Sequence, residues 1–373
     1  MKKLLTVLLL VFMVVGLVFA GGGTESKATE TKAADTWGLK PFESKQTLRV
    51  AFFTGSPLSY PILFADKLGV FEALNIDIQY TCFTGGPAMM EANASWDIGS
   101  CGLGGIALAL AKYDNLRLFD VCDYEENMAI FVRADSAIAK DPGNAALWKG
   151  VTCVYPTGTT AQAVLAQYLQ NIGLSLKDVV SVNADNSNAL TVFNGGTGDV
   201  LVCWNAIALA ADAAGHFRVT DSGQLKLPFP CASFVQKDFL AKNKELVATF
   251  TAVFHKAVEW LYASKENLNQ GAEWYFEHCE EEGFLCTREV AQKTMEWYRG
   301  NTVAEYIDIF TKKSPDAAGL YTSRDLLQIE KDVMSGFDFF ISEGKYTAEQ
   351  RKTILDEKRI TDEVALAVKD LVK

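Results

Sequence analysis

Short alternating apolar runs, each followed by a stretch with helical spacing, recur along the first two thirds of the chain. LRVAFF from Leu48, IDIQYTCF from Ile76 and the short run ahead of GLGG read as strands, and GVTCVY from Gly150, DVVSVNAD from Asp178 and DVLVCW from Asp199 read as a second set. The two sets are copies. Residues 97 to 111, DIGSCGLGGIALALA, resemble residues 199 to 212, DVLVCWNAIALAAD, with Asp97 matching Asp199 and Cys101 matching Cys203 at a spacing of 102; Leu48 and Gly150 stand at the same spacing. Each half reads strand, helix, strand, helix, strand, helix. Such alternation makes a parallel sheet sandwiched by helices, with ligands held beyond the carboxyl ends of the strands. The expected fold is α/β, with two three-layer lobes facing a cleft.

The pattern changes after the second set. KELVATFTAVFHKAVEWLYAS, EVAQKTMEWYRG, SRDLLQIEKDVMSGFDFFISEGK and a last charged segment carry their aromatics at helical spacing, which predicts helices packed on the first lobe. At the other end, Met1-Lys2-Lys3 precedes the apolar run Leu4 to Ala20, which ends in small residues and reads as an export signal cut after Ala20 (1–20). The run falls short of a comfortable membrane span, and no cysteine follows it for a lipid anchor. An exported, periplasmic protein is expected, with an uncleaved N-terminal anchor as the alternative. The polar stretch GGGTESKATETKAADT then reads as a tether within a flexible linker over 21–46.

Composition narrows the function classes. The formal charge is −11, becoming −13 without Lys2 and Lys3, which suits neither nucleic acid nor anionic lipid. No second stretch could cross a bilayer. Cys82, Cys122, Cys153 and Cys203 lie in or beside apolar strand-like runs and read as small buried hydrophobes. Only Cys279 and Cys286, across CEEEGFLC, form a locally plausible disulfide, which the sequence leaves open. His216, His255 and His278 are scattered without metal-ligand spacing, and there is no C-x-x-C, G-x-S-x-G, P-loop or H-E-x-x-H motif. The phosphate-loop lookalike WDIGSCGLGGIALAL, with Asp120 sixteen residues after Gly104, sits at a third, very short strand, so dinucleotide binding is disfavoured. Neither catalytic residues, nor metal, nor cofactor is expected.

The most chemical segment is GVTCVYPTGTTAQAVLAQYL, residues 150 to 169. A strand runs through Pro-Thr-Gly-Thr-Thr directly into a helix, so unpaired N–H groups flanked by hydroxyls form a small-anion site. The plainer reading is that Thr159 or Thr160 caps its own helix.

From Leu48 to Asp238 the chain resembles the solute-binding proteins of ABC importers for nitrate, sulfonates, taurine and thiamine-type pyrimidines. The resemblance is carried by LFADKLGVFEALNIDIQY, WDIGSCGLGGIALA, NMAIFVRADSAI, WKGVTCVYPTGTTAQAVL and GDVLVCWNAIALAA, in that order. It implies a type II periplasmic binding-protein fold, with two lobes joined by two hinge strands, AIFVRADS (129–136) outgoing and CASFVQKDF (231–239) returning. The expected organisation is lobe 1 over 47–130, lobe 2 over 131–232, and the return to lobe 1 with the C-terminal helices over 233–373.

With the cleft so placed, binding outweighs mere capping at Thr157, Gly158, Thr159 and Thr160. The repeat supplies counterparts: Thr54, Ser56, Ser59 and Tyr60 after the first strand, Gly85 and Gly86 after the second, and Ser100 and Cys101 after the third. Trp204 would wall one side of a small solute and Asn205 would orient it. The loops TGSPLSY, FTGGP, SCGLGG, YPTGTTAQ, NADNSNA and CWNA carry no Lys or Arg, whereas DVCDYEENM supplies Asp120, Asp123, Glu125 and Glu126 beside Tyr124. Carboxylates near an anion site favour a solute that also carries an amine. A taurine-like or amino-acid-like zwitterion would set its acidic head on the Thr159 turn and its amine near Glu125 or Asp123. The expected partners are this solute and the membrane permease of an importer with a separate ATPase, the receptor itself being a monomer. An enzyme of the thiamine-pyrimidine synthesis type and a sensor's binding protein are the alternatives on the same fold.

Overall fold

The computed structural model describes residues 35–53, 56, 60–83, 85–124, 127–227, 229–284, 286–316 and 318–373. The signal segment, most of the tether, and Thr54, Ser59, Glu125 and Glu126 lie outside them. Ahead of the first strand, inside the stretch read as linker, Leu39 is buried and Phe42 N donates to Leu74 O at 3.1 Å.

Ten strands build two five-stranded sheets. They are β1 (Gln46–Phe53), β2 (Ile76–Phe83), β3 (Ile98–Cys101), β4 (Leu116–Tyr124), β5 (Ala129–Val132), β6 (Thr152–Tyr155), β7 (Val180–Asn183), β8 (Val200–Cys203), β9 (Phe217–Asp221) and β10 (Pro230–Gln236). The first sheet has the order β2-β1-β3-β10-β4 and the second β7-β6-β8-β5-β9. In each, the three strands of the repeat run parallel and the fourth position is antiparallel. Both sheets are flanked by helices, the two-lobed arrangement that the repeat foreshadowed.

The matched aspartates explain part of the repeat. Arg49 N donates to Asp97 Oδ2 and Asp97 N to Arg49 O, both at 2.9 Å. In the second sheet Thr152 N donates to Asp199 Oδ2 at 2.9 Å and Asp199 N to Thr152 O at 2.8 Å. Each aspartate thus ties the start of a third strand to the first, satisfying a backbone donor that would otherwise be left over.

The chain passes from the first sheet to the second between Tyr124 and Ala129 and returns between Asp221 and Pro230, so β5 lies wholly in the second sheet and β10 wholly in the first. The two passages are tied together: Ser222 N donates to Met128 O at 2.8 Å, and Met128 N to Ser222 Oγ at 3.2 Å.

The C-terminal helices mostly cover the first lobe, as their aromatic spacing predicted. Lys244–Ala263 packs on Tyr60–Lys67 and Glu363–Leu371. Its His255 is fully buried, with Nε2 2.8 Å from Asp120 Oδ1 and Nδ1 2.8 Å from the Asn301 carbonyl, the ring stacked on Tyr306. Asp120 therefore serves the core and not a ribose or the cleft. One helix departs from the expectation: Arg288–Trp297 packs on Asn205–Ala213 of the second lobe, where the Arg218 guanidinium lies 5.3 Å from the Trp297 ring centre. Among the described residues, no helix is long and apolar enough to cross a membrane.

Candidate functional site

A cavity of about 460 Å³ opens between the carboxyl ends of the two sheets. The parallel strands there lead into helices whose first turns point at it: Gly86–Glu91 and Leu103–Lys112 from the first lobe, Thr160–Asn171, Asn186–Asn194 and Asn205–Ala213 from the second. Neither Gly102, Asp185 nor Trp204 caps its helix with a side chain. The leading N–H groups are left to face the cavity, and each helix end adds about half a positive charge.

The two threonines of the 156–161 turn have different jobs. Thr159 Oγ1 donates to Pro156 O at 2.7 Å and accepts from Ala161 N at 3.3 Å, so it is a cap as well as a wall. Thr160 is 2% exposed and lines the cavity, and no hydrogen bond ties its hydroxyl to another described residue. The hydroxyl is not sealed off, so cavity water or a solute can take the bond. Thr157 donates through N and Oγ1 to Asn183 Oδ1, at 2.9 and 3.0 Å, and Asn186 brackets the Trp204 backbone, accepting from its N at 3.1 Å. Trp204 itself forms part of the wall.

Of the residues expected from sequence, Gly85, Gly86, Thr157, Thr159, Thr160 and Trp204 come together around the cavity. Gly158 lies behind it, its N–H donating to Gln162 Oε1 at 2.9 Å and its carbonyl abutting Gly104. Others are placed elsewhere. Ser100 is buried, sharing a 2.9 Å hydrogen bond with Ser233, and Cys101 fills the space beneath Gly86 and Gly105. Tyr60 is fully buried against Tyr275 and Tyr298; burial pushes the phenols of Tyr60 and Tyr298 up, and the nearby buried carboxylate of Asp123 adds to it. Tyr124 turns its hydroxyl to Asp332 Oδ2 at 2.8 Å. Ser56 is buried. Asn205 is buried beside Trp204 at φ +50°, an uncommon conformation for a residue with a side chain.

Sequence reasoning missed Met128 at the hinge and the segment Glu282, Gly283 and Phe284. The latter follows a C-terminal helix read as mere packing; the only hint was the glycine between two cysteines. Among the described lining residues the charged ones are Asp185 and Glu282, both exposed carboxylates, with no Lys, Arg or His. Lys345 Nζ donates to Gln162 Oε1 at 3.2 Å, and burial pulls the Lys345 pKa down.

Two helix-flanked sheets, crossed twice by the chain and holding a solute-sized cavity between them, define a periplasmic binding-protein fold. Known proteins bear this out. A protein of Brachyspira hyodysenteriae named as an ABC transporter periplasmic binding protein is 25% identical over 306 residues, 76% of this chain and 85% of that one. The periplasmic aliphatic sulphonate binding protein SsuA of Escherichia coli superposes with a TM-score of 0.63 at 19% identity, covering 82% of this chain and 91% of its own. The periplasmic nitrate-binding protein NrtA of Synechocystis PCC 6803 gives 0.62 at 13% identity, covering 88% and 89%. The NMT1/THI5 like family model matches residues 56–267, more than half of the chain, and the chain belongs to that family.

Proposed function

We propose that this chain is the exported solute receptor of an ABC importer, closing its lobes on a small zwitterion with an oxyanion head and an amine, taurine-like or amino-acid-like. The observation that carries the reading is the convergence on one cavity of uncapped helix starts, with Thr160 in the wall beside them. An oxyanion head would accept from the Thr160 hydroxyl and from the leading N–H groups. The sulphonate and nitrate named for the two solved neighbours are heads of this kind.

The amine follows from charge. A bare anion would face Asp185 and Glu282 with no cation among the described lining residues to offset them, whereas an ammonium group gives the carboxylates a partner. Of the carboxylates favoured from sequence, Asp123 is buried near Tyr60 and Tyr298 and does not line the cavity, and Glu125 lies outside the described residues. Trp204 offers its ring face to the ammonium. A solute touching both lobes favours the closed arrangement over the open one, and the closed form is what a permease would recognise. No nucleophile-and-base pair stands among the described lining residues, which favours capture over catalysis.

A thermal-shift panel of zwitterions, plain sulfonates, nitrate, pyrimidines and polyamines tests this, because binding to the folded form raises Tm. Stabilisation by taurine or a small amino acid is expected. Stabilisation by plain sulfonates without their amino counterparts would transfer the reading to a sulfonate receptor.

A further inference from the structure

Two cysteines stand at the ends of the segment that brings Glu282, Gly283 and Phe284 to the cavity. Cys279 is buried near the end of the helix Lys265–Glu281, and Cys286 is half-buried just ahead of Arg288–Trp297. Both are free thiols, close enough for each to shift the other's ionisation, and Cys286 Sγ donates to Thr287 O at 3.4 Å. Up to Phe284 the chain turns back on Cys279: Phe284 N donates to Cys279 O at 2.8 Å, Glu282 N to His278 O at 3.0 Å, and Gly283 turns the chain at φ +67°.

We propose that Cys279 and Cys286 are a disulfide-forming site whose closure staples the loop walling the cavity. The pairing does not depend on the solute; its bearing on solute capture rests on the function proposed above. The thiols differ in character. Proximity to Cys279 holds the Cys286 thiol below its ordinary pKa against the opposing effect of burial, while proximity to Cys286 and burial push Cys279 up. Cys286, half-buried where Cys279 is buried, is the thiol within reach of a disulfide donor such as oxidised glutathione; its thiolate attacks, expelling one donor thiolate and forming a mixed disulfide. Cys279 then gives up its proton and attacks Cys286 Sγ, expelling the second donor thiolate. The pair is oxidised by two electrons and the donor is reduced to two thiols. An exported protein meets such oxidants routinely.

The test is made on the full chain equilibrated with reduced and oxidised glutathione, alkylated, and mapped by peptide mass spectrometry. Hydrogen exchange of residues 280–286 is followed in both states. In oxidised glutathione a linked Cys279–Cys286 peptide, loss of two hydrogens from the intact mass and slower amide exchange in the loop are expected. A Cys286→Ser variant should form no link and exchange as the reduced protein does. Two thiols that stay free, a glutathione adduct on Cys286 without the internal link, or a link that leaves loop exchange unchanged would each overturn the proposal. Titration with taurine keeps the two readings apart, since a link that forms in a protein unresponsive to every zwitterion counts against the solute and not against the disulfide.

Discussion

Gly104 and Gly158 touch across the cleft: a Cβ built on Gly104 would lie 2.1 Å from the Gly158 carbonyl oxygen and 2.9 Å from Thr159 Cα. The two lobes therefore meet backbone to backbone beside the cavity, where no larger residue fits. Gly104→Ala should hold them apart and weaken solute binding by at least about tenfold, or about 1.4 kcal/mol. The substitution favours the helix Leu103–Lys112 itself, by about 1 kcal/mol in propensity, so the unliganded protein should be no less stable. Calorimetric titration with the best solute of the panel, with small-angle scattering to follow closure, checks both parts. Unchanged affinity would mean that this contact is no part of the liganded state.

The neighbouring threonines should separate binding from capping. Thr160→Val removes a cavity-lining hydroxyl at little change in volume and is expected to cost about 1 to 3 kcal/mol of solute binding, with Thr160→Ser recovering much of it. Thr159→Ala deletes a cap and should cost about 1 kcal/mol of stability. Urea denaturation and calorimetry on the same three proteins decide between these roles. Equal binding losses at both positions would mean that the hydroxyl of Thr159 abandons its cap for the solute.

Deep in the first lobe, Asp120 and His255 hold each other out of water, at 1% and 0% exposure. Replacing His255 with Leu leaves the carboxylate buried without its imidazole and should destabilise the fold by about 3 kcal/mol or more. Denaturant midpoints measure this. A protein that still folds should bind its solute normally, because neither residue reaches the cavity.

Tyr124 gives a pH signature. Asp332 has its pKa raised by burial, with the bonds from Tyr124 and Gln328 working the other way. The native state thus holds this proton more tightly than the unfolded chain, and stability falls as pH rises from the ordinary carboxylate value through the raised one, then levels. Tyr124→Phe removes a bond that the ionised carboxylate needs, so it should cost about 1 to 2 kcal/mol at pH 7 and less at pH 4. Asp332→Asn should flatten the profile. Urea titrations at the two pH values read it directly, and an equal loss at both would exclude ionisation as the cause.

The sheets were legible because their information is local. Alternation marks each strand, and the Asp97 and Asp199 spacing marks a lock that the structure shows twice. The cavity was legible at the level of loops, since helix starts after parallel strands face one end of a sheet. Individual side chains were not. Ser100 sits in a cleft loop by sequence, yet strand alternation turns it toward Ser233. Thr159 and Thr160 differ by a single step around the helix start, which no composition rule resolves. Phe284 lies far along the chain from the strands it meets, and a helical pattern says only that some face is buried.

The placement of β10 between β3 and β4, and of β5 between β8 and β9, also dictates an order of assembly. All strands of the second sheet lie between Ala129 and Asp221, so that sheet can finish from one unbroken length of chain. The first cannot. Its interior stays open until Pro230–Gln236 arrives, more than a hundred residues after its outermost strand β4, and that strand must be inserted between two others and not added at an edge. Whatever route the chain takes from an extended thread to its native form, the second lobe can be whole while the first is still a sheet with a missing stave.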